Sequence, residues 1–204
     1  MTQLALDTPT PAATTAAGPR PRPLVIGLDP SLTSTGIAHL DGRTTTVKTR
    51  KADGDGRLLH IAHAVTMAAI EQFEAGTGPL PALAVLEDLP THAKGSGITG
   101  MVHGVVRAAL INLGVPYALV VPATLKSYAC DDGRASKPDM AAAAYLAAGR
   151  EFPGDLTKGG NGGDQCDAWW LRAAGLDRLG FPEFTLPQAQ RNRLTKAKWP
   201  EVAR

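Results

Sequence analysis

Four acidic residues in this chain stand where an acid needs a reason. Asp29 closes the apolar run "LVIGLD" (24–29), and Glu87 closes "LAVLE" (83–87) with Asp88 beside it. A buried strand carries an ionised group only where that group is paired or binds a cation. Asp164 and Asp167 lie three apart in "GGDQCDAWW", so on a helix they share one face. If the strands ending in Asp29 and Glu87 are parallel neighbours, both carboxylates project from one C-terminal edge, where ligand sites of α/β sheets form. A helix packed there through Trp169, Trp170, Leu171, Ala174 and Leu176 carries Asp164 and Asp167 to the same edge. Converging carboxylates repel one another unless a cation sits between them. All-oxygen ligation selects a hard ion, Mg²⁺ or Mn²⁺, over zinc. Two such ions about 4 Å apart activate a water and stabilise the leaving oxygen of a phosphodiester, with Asp29 as the ligand shared between them.

Each acid has a plainer reading when taken alone. Asp29 precedes Pro30-Ser31 and could simply start a turn. Glu87 could be a solvated strand end, and Asp164 and Asp167 could complement the positive end of a helix dipole. The conjunction of all four favours the metal site.

The elements that must position these acids are legible in the pattern. Residues 1–23, rich in Pro, Thr and Ala without periodicity, read as a disordered leader. "PLVIGLD" is a central strand. "TSTGIAHLDG" and "RTTTVKTRK" form a hairpin around Asp41-Gly42, which makes three consecutive antiparallel strands. "DGRLLHIAHAVTMAAIEQFEAG" has helical spacing and ends at Gly76. "PALAVLED" is the fourth strand, "SGITGMVHGVVRAALINLG" a helix and "VPYALVV" the fifth strand. "PATLKSYAC" is a short helix opened by Pro122. "SKPDMAAAAYLAAG" is a helix with Ser136 and Asp139 spaced as a capping box. "GDQCDAWWLRAAGLDRLG" is the last long helix. This order predicts an α/β domain over 24–180, with the later strands parallel through right-handed crossovers. Residues 181–204 read as an irregular, basic C-terminal tail holding Arg191, Arg193, Lys196, Lys198 and Arg204. A solvated tail and a DNA-tracking arm are equal expectations for it.

Bulk properties exclude several classes. With 204 residues and 44% hydrophobic content the chain fits one globular domain, and its net charge of +2 is too weak to announce nucleic acid by itself. No apolar run approaches the ~20 residues needed to span a bilayer. No signal-peptide pattern opens the chain, so a cytoplasmic protein is expected. Cys130 and Cys166 lack metal-ligand or disulfide spacing and read as free thiols. His60 and His63 have no third ligand near them in sequence. The glycine-rich "KGGNGGDQ" reads as a loop before the last helix.

The blocks "GLDPSLTSTGIA", "LAVLED", "PATLKSYACDDGRASKPDM" and "GGDQCDAWWLRAAG", in this order and spacing, resemble the RuvC-type Holliday junction resolvases of the RNase H-like superfamily. The resemblance covers 24–180 and leaves out both ends. It implies an RNase H-like mixed five-stranded sheet, three antiparallel strands and then two parallel, flanked by helices. It also implies a homodimeric, Mg²⁺-dependent endonuclease with two ions per active site, Mn²⁺ substituting, that makes paired symmetric nicks in four-way DNA junctions. Carried over by position, Asp29, Glu87, Asp164 and Asp167 would be the metal ligands. Lys126 in "ATLKS" falls on the family's active-site lysine, and Lys137 on a second lysine that faces DNA. Arg134 and Lys94 would contact the DNA backbone from loops, which positions nucleic acid without reading sequence. The chain departs from the family after Glu87, where "EDLPTHAKGSG" holds Pro90 and no aromatic residue. Asp88 is an additional acid without a family counterpart.

Three other functions fit parts of the pattern. A structure-selective nuclease of flaps or forks would use the same acids. An actin- or sugar-kinase-like ATP-binding protein also follows its first strand with an Asp-containing loop, but Ser31 stands where that loop needs glycine. A catalytically silent junction-binding protein would have no need of the full acid set. No branch-migration motor can be named.

Overall fold

The computed structural model describes residues 21–89, 96–154, 156 and 161–201. Alternating apolar residues build five short strands: β1 (Val25–Asp29), β2 (Ser34–Ala38), β3 (Thr44–Lys48), β4 (Leu83–Glu87) and β5 (Tyr117–Val120). They form one sheet in the order β3-β2-β1-β4-β5. β1 pairs antiparallel with β2, and β2 with β3, while β1–β4 and β4–β5 are parallel. β2 and β3 turn over at Gly42, whose φ of 91° suits a residue without Cβ. This is the mixed five-stranded arrangement the sequence predicts.

Six α-helices flank the sheet: α1 (Gly56–Glu74), α2 (Ser96–Asn112), α3 (Pro122–Cys130), α4 (Lys137–Ala148), α5 (Asn161–Arg178) and α6 (Gln188–Arg193). Strand periodicity divides the core in two. Val25, Leu83, Val85, Ala118 and Val120 face Tyr128, Met140, Trp170, Leu171 and Ala174 of α3, α4 and α5. Ile26, Leu28, Ile37, Ala84 and Leu86 face Ile61, Val65, Val102, Val106 and Leu110 of α1 and α2. Burying each large apolar side chain contributes about 1.5–3 kcal/mol against chain entropy. Trp169 and Trp170 belong to this core: the indole of Trp170 donates to the Met140 carbonyl at 3.0 Å, and Trp169 stacks on Phe184.

α5 approaches the sheet backbone directly at two strand glycines. A Cβ on Gly27 would fall 2.1 Å from the Ala168 carbonyl oxygen, and one on Gly36 would fall 2.0 Å from that of Asp164. Glycine inside a strand marks this kind of close backbone approach. The helix ends follow their sequence signals. Pro122 opens α3 at its first turn. Ser136 and Asp139 cap α4 reciprocally, and Gly149 ends it with φ 62°.

Residues 181–201 correct the expectation of an irregular tail. α6 and the following turn pack on the body, with Leu194 buried and Trp199 partly so. Lys198 makes a two-hydrogen-bond bridge to Leu119 of β5, at 3.0 and 2.9 Å. Arg191 pairs with the buried Asp177, which also accepts from the Tyr128 hydroxyl at 3.2 Å. Arg193 pairs with Asp131 at 3.0 Å. Three of the basic residues expected in a free arm, Arg191, Arg193 and Lys198, thus pair with acids of the body. Cys130 and Cys166 are free, as expected. No helix among the described residues is long and apolar enough to cross a membrane.

Candidate metal centre

β1 and β4 run parallel with Leu28 opposite Leu86, so the next residues, Asp29 and Glu87, emerge side by side. Alternation puts both on the α5 face, two residues beyond Gly27 and Val85. On α5, Asp167 lies one turn before the buried pair Trp170 and Leu171, so it points down onto the same edge. Ligand oxygens of Asp29, Glu87 and Asp167 all lie within 4.8 Å of one another.

Asp164 stands beside this trio but is engaged elsewhere. Its carboxylate accepts from the Ser34 hydroxyl at 2.5 Å and from the Lys137 ammonium at 2.8 Å. Lys137 also lies 3.5 Å from Asp167. The ammonium of Lys137, the lysine that the resemblance turns toward DNA, thus sits beside two of the acids. Lys126, half-buried on α3, acts electrostatically on Glu87 and Asp167. Arg134 is exposed in the turn between α3 and α4, where its backbone N–H donates to Asp132 at 2.9 Å. Lys94 lies outside the described residues.

Asp88 projects to the opposite face of the sheet, as alternation requires. It is nearly buried, accepts from Lys198 at 2.9 Å and lies 3.6 Å from Arg107. It therefore ties the C-terminal segment to the strand that presents Glu87. Ser34 is a supporting residue that the sequence did not single out, and the pairing of Asp88 with Lys198 was not legible in it. The signal for Ser34 was Gly36 in the same strand, which announces that the chain bearing Asp164 comes close.

The carboxylates titrate as crowded, buried groups. Burial pushes Asp29 well above the usual carboxylate range, and the neighbouring charges of Glu87, Asp167 and Asp164 push the same way. Burial likewise raises Glu87 to about 7, opposed by its hydrogen bond with Asp29. Asp167 is raised by burial, with Lys137 pulling it back. Asp29 and Glu87 interact closely enough to titrate as a unit. Such a site stores unfavourable charge that a divalent cation would relieve. The donors are all oxygens, spaced to meet at one ion, which fits a hard cation such as Mg²⁺ or Mn²⁺.

Comparison with known proteins gives the fold a counterpart. The chain is similar to the Thermus thermophilus RuvC structure, with TM-score 0.58 and 19% identity over 87% of this chain and 99% of that one. It is also similar to T. thermophilus RuvC in complex with a Holliday junction substrate, with TM-score 0.60 and 20% identity over 80% and 99% of the two chains. No family model and no curated protein sequence matches it. The chain has the RuvC fold, with its five-stranded mixed sheet and flanking helices.

Proposed function

We propose that this chain is a Mg²⁺-dependent endonuclease that resolves four-way DNA junctions by paired symmetric nicks. The observation that carries the reading is the convergence of Asp29, Glu87 and Asp167 within 4.8 Å at one sheet edge, on a fold shared with a junction-binding protein. Asp29, Glu87 and Asp167, with Asp164 alongside, would hold the ions. Bound there, Mg²⁺ supplies an activated water and charge stabilisation for in-line attack on a phosphodiester. The chain's own residues do the rest. Asp29 and Glu87 must give up the proton that burial favours. Lys126, whose charge acts on Glu87 and Asp167, would help hold the scissile phosphate and the charge that develops on it. Arg134, Lys137 and Lys94 are proposed backbone contacts that set the position of the DNA.

A four-way junction presents two equivalent strands, so a two-fold dimer with two sites is the matching assembly. Ile98 and Met101 on α2 leave about half of their surface exposed, 52% and 47%, and Ile111 leaves 63%. That apolar face is the proposed dimer surface.

The test is cleavage of a labelled synthetic four-way junction in Mg²⁺, beside a flap, a fork and a linear duplex of the same sequences. Paired symmetric nicks confined to the junction support the reading. Cutting spread over flap and fork moves the function to general branched-DNA processing, the reading that the missing aromatic after Glu87 favours. No cutting in Mg²⁺ or Mn²⁺ rejects both.

A further inference from the structure

Lys137 sits where a lysine serving only DNA would not need to be. It opens α4, and the capping box of Ser136 and Asp139 fixes its backbone. Its stem runs across the first turn of α5, where a Cβ on Gly163 would fall 2.3 Å from its Cδ and 2.8 Å from its Nζ. The ammonium ends 2.8 Å from Asp164 and 3.5 Å from Asp167, with its side chain only 36% exposed. Asp167 is also one of the three carboxylates whose oxygens converge. One carboxylate is thus within reach of both an ammonium and the cation that the trio would hold.

We propose that Lys137 is a built-in counter-ion that competes with the divalent cation for Asp167 and Asp164, and that metal entry displaces it. The inference rests on the metal reading of the acids and adds to it a control on loading. Without a cation the crowded carboxylates repel, and the ammonium offsets part of that repulsion. A cation entering must break the Lys137 contact, so the measured affinity is the intrinsic affinity reduced by that displacement. Lysine suits the task because a point charge on a flexible stem leaves without dismantling a bidentate fork. Gly163 suits it because any side chain there would obstruct the stem.

The experiment is calorimetric titration of Mn²⁺ into the full chain without DNA, at fixed ionic strength. Wild type, Lys137→Gln, Gly163→Ala and Asp167→Asn are compared. Lys137→Gln should bind Mn²⁺ on the order of ten-fold tighter, the equivalent of one charge-assisted contact. Gly163→Ala keeps every charge but blocks the path of the stem, and should tighten binding in the same direction. It separates the contact from the general field of a lysine, and it decides the matter if Lys137→Gln fails to fold. Metal-free Lys137→Gln should melt below wild type, and saturating Mn²⁺ should close that gap. Wild-type binding that neither variant tightens overturns the counter-ion and leaves the metal centre standing. No binding by wild type, or binding that Asp167→Asn leaves intact, overturns the metal reading and this inference with it.

Discussion

Asp29 is the residue on which the proposed chemistry turns, because it joins the strand-borne acid Glu87 to the helix-borne acids. Asp29→Asn should lower junction cleavage by on the order of a thousandfold or more while leaving junction binding nearly unchanged, read by parallel gel-shift and cleavage assays. Cleavage at the normal rate would return Asp29 to a turn-starting role. Glu87 makes a separate prediction through stability. Its carboxyl titrates near 4.5 when solvated and at about 7 in the fold, so the folded state holds the extra proton between those values. The contribution of Glu87 to stability is therefore present below about pH 4.5 and lost as pH rises through about 7. His103 works in the opposite sense, because burial and then Arg107 lower it to about 4, and His39 is lowered as well. The difference between wild type and Glu87→Gln removes those histidines from the comparison. Metal-free wild type should lose stability relative to Glu87→Gln between pH 5 and pH 7.5 in paired urea titrations, a range set by those titration points. Added Mg²⁺ should cancel that loss.

The elements that hold these residues explain what the sequence disclosed and what it withheld. Strand alternation, which is local and strictly periodic, put Asp29 and Glu87 on one face, and the expectation that their strands are parallel neighbours, which the sheet bears out, put them at one edge. The capping box at Ser136 and the Pro122 start of α3 were equally local. What escaped was long-range. Asp164 reads as an equal partner of Asp167 three residues on, yet in the fold it turns to Ser34 and Lys137. The inward course of Lys137 depends on Gly163, far away in the chain. The docking of residues 181–201 depends on Asp177, Leu119 and Asp88 accepting partners from Arg191 and Lys198, and no period in a basic segment reveals this. The contact of α5 on β1 and β2 gives the prediction that belongs at this scale. Gly36→Ala sets a methyl 2.0 Å from the Asp164 carbonyl oxygen, and neither partner is a flexible side chain. It should destabilise the protein by about 3 kcal/mol, read from the urea midpoint, and reduce Mn²⁺ affinity because α5 must lift.

For the whole molecule, the decisive property is whether two active sites act together. Replacing Ile98 and Met101 with aspartate should convert a dimer to a monomer by light scattering. On a cruciform plasmid the dimer should give linear product, from two nicks made in one encounter, and the monomer nicked circles. A wild-type monomer that yields linear product would reject the dimer surface. The bridge between Leu119 and Lys198 has a different consequence at this scale. An open five-stranded sheet has two unpaired flanks, each a template on which another chain can add a strand. On one flank β3 is half-exposed and rich in threonine, and it ends at Lys48, a charge that discourages such addition. The other flank is β5, which is apolar, and among the described residues its outer backbone edge is occupied by the two hydrogen bonds that Leu119 exchanges with Lys198. Shortening the chain before Leu194 would leave β5 open, so the protein should then gather into β-rich, thioflavin-positive aggregates during storage, with its acids still intact.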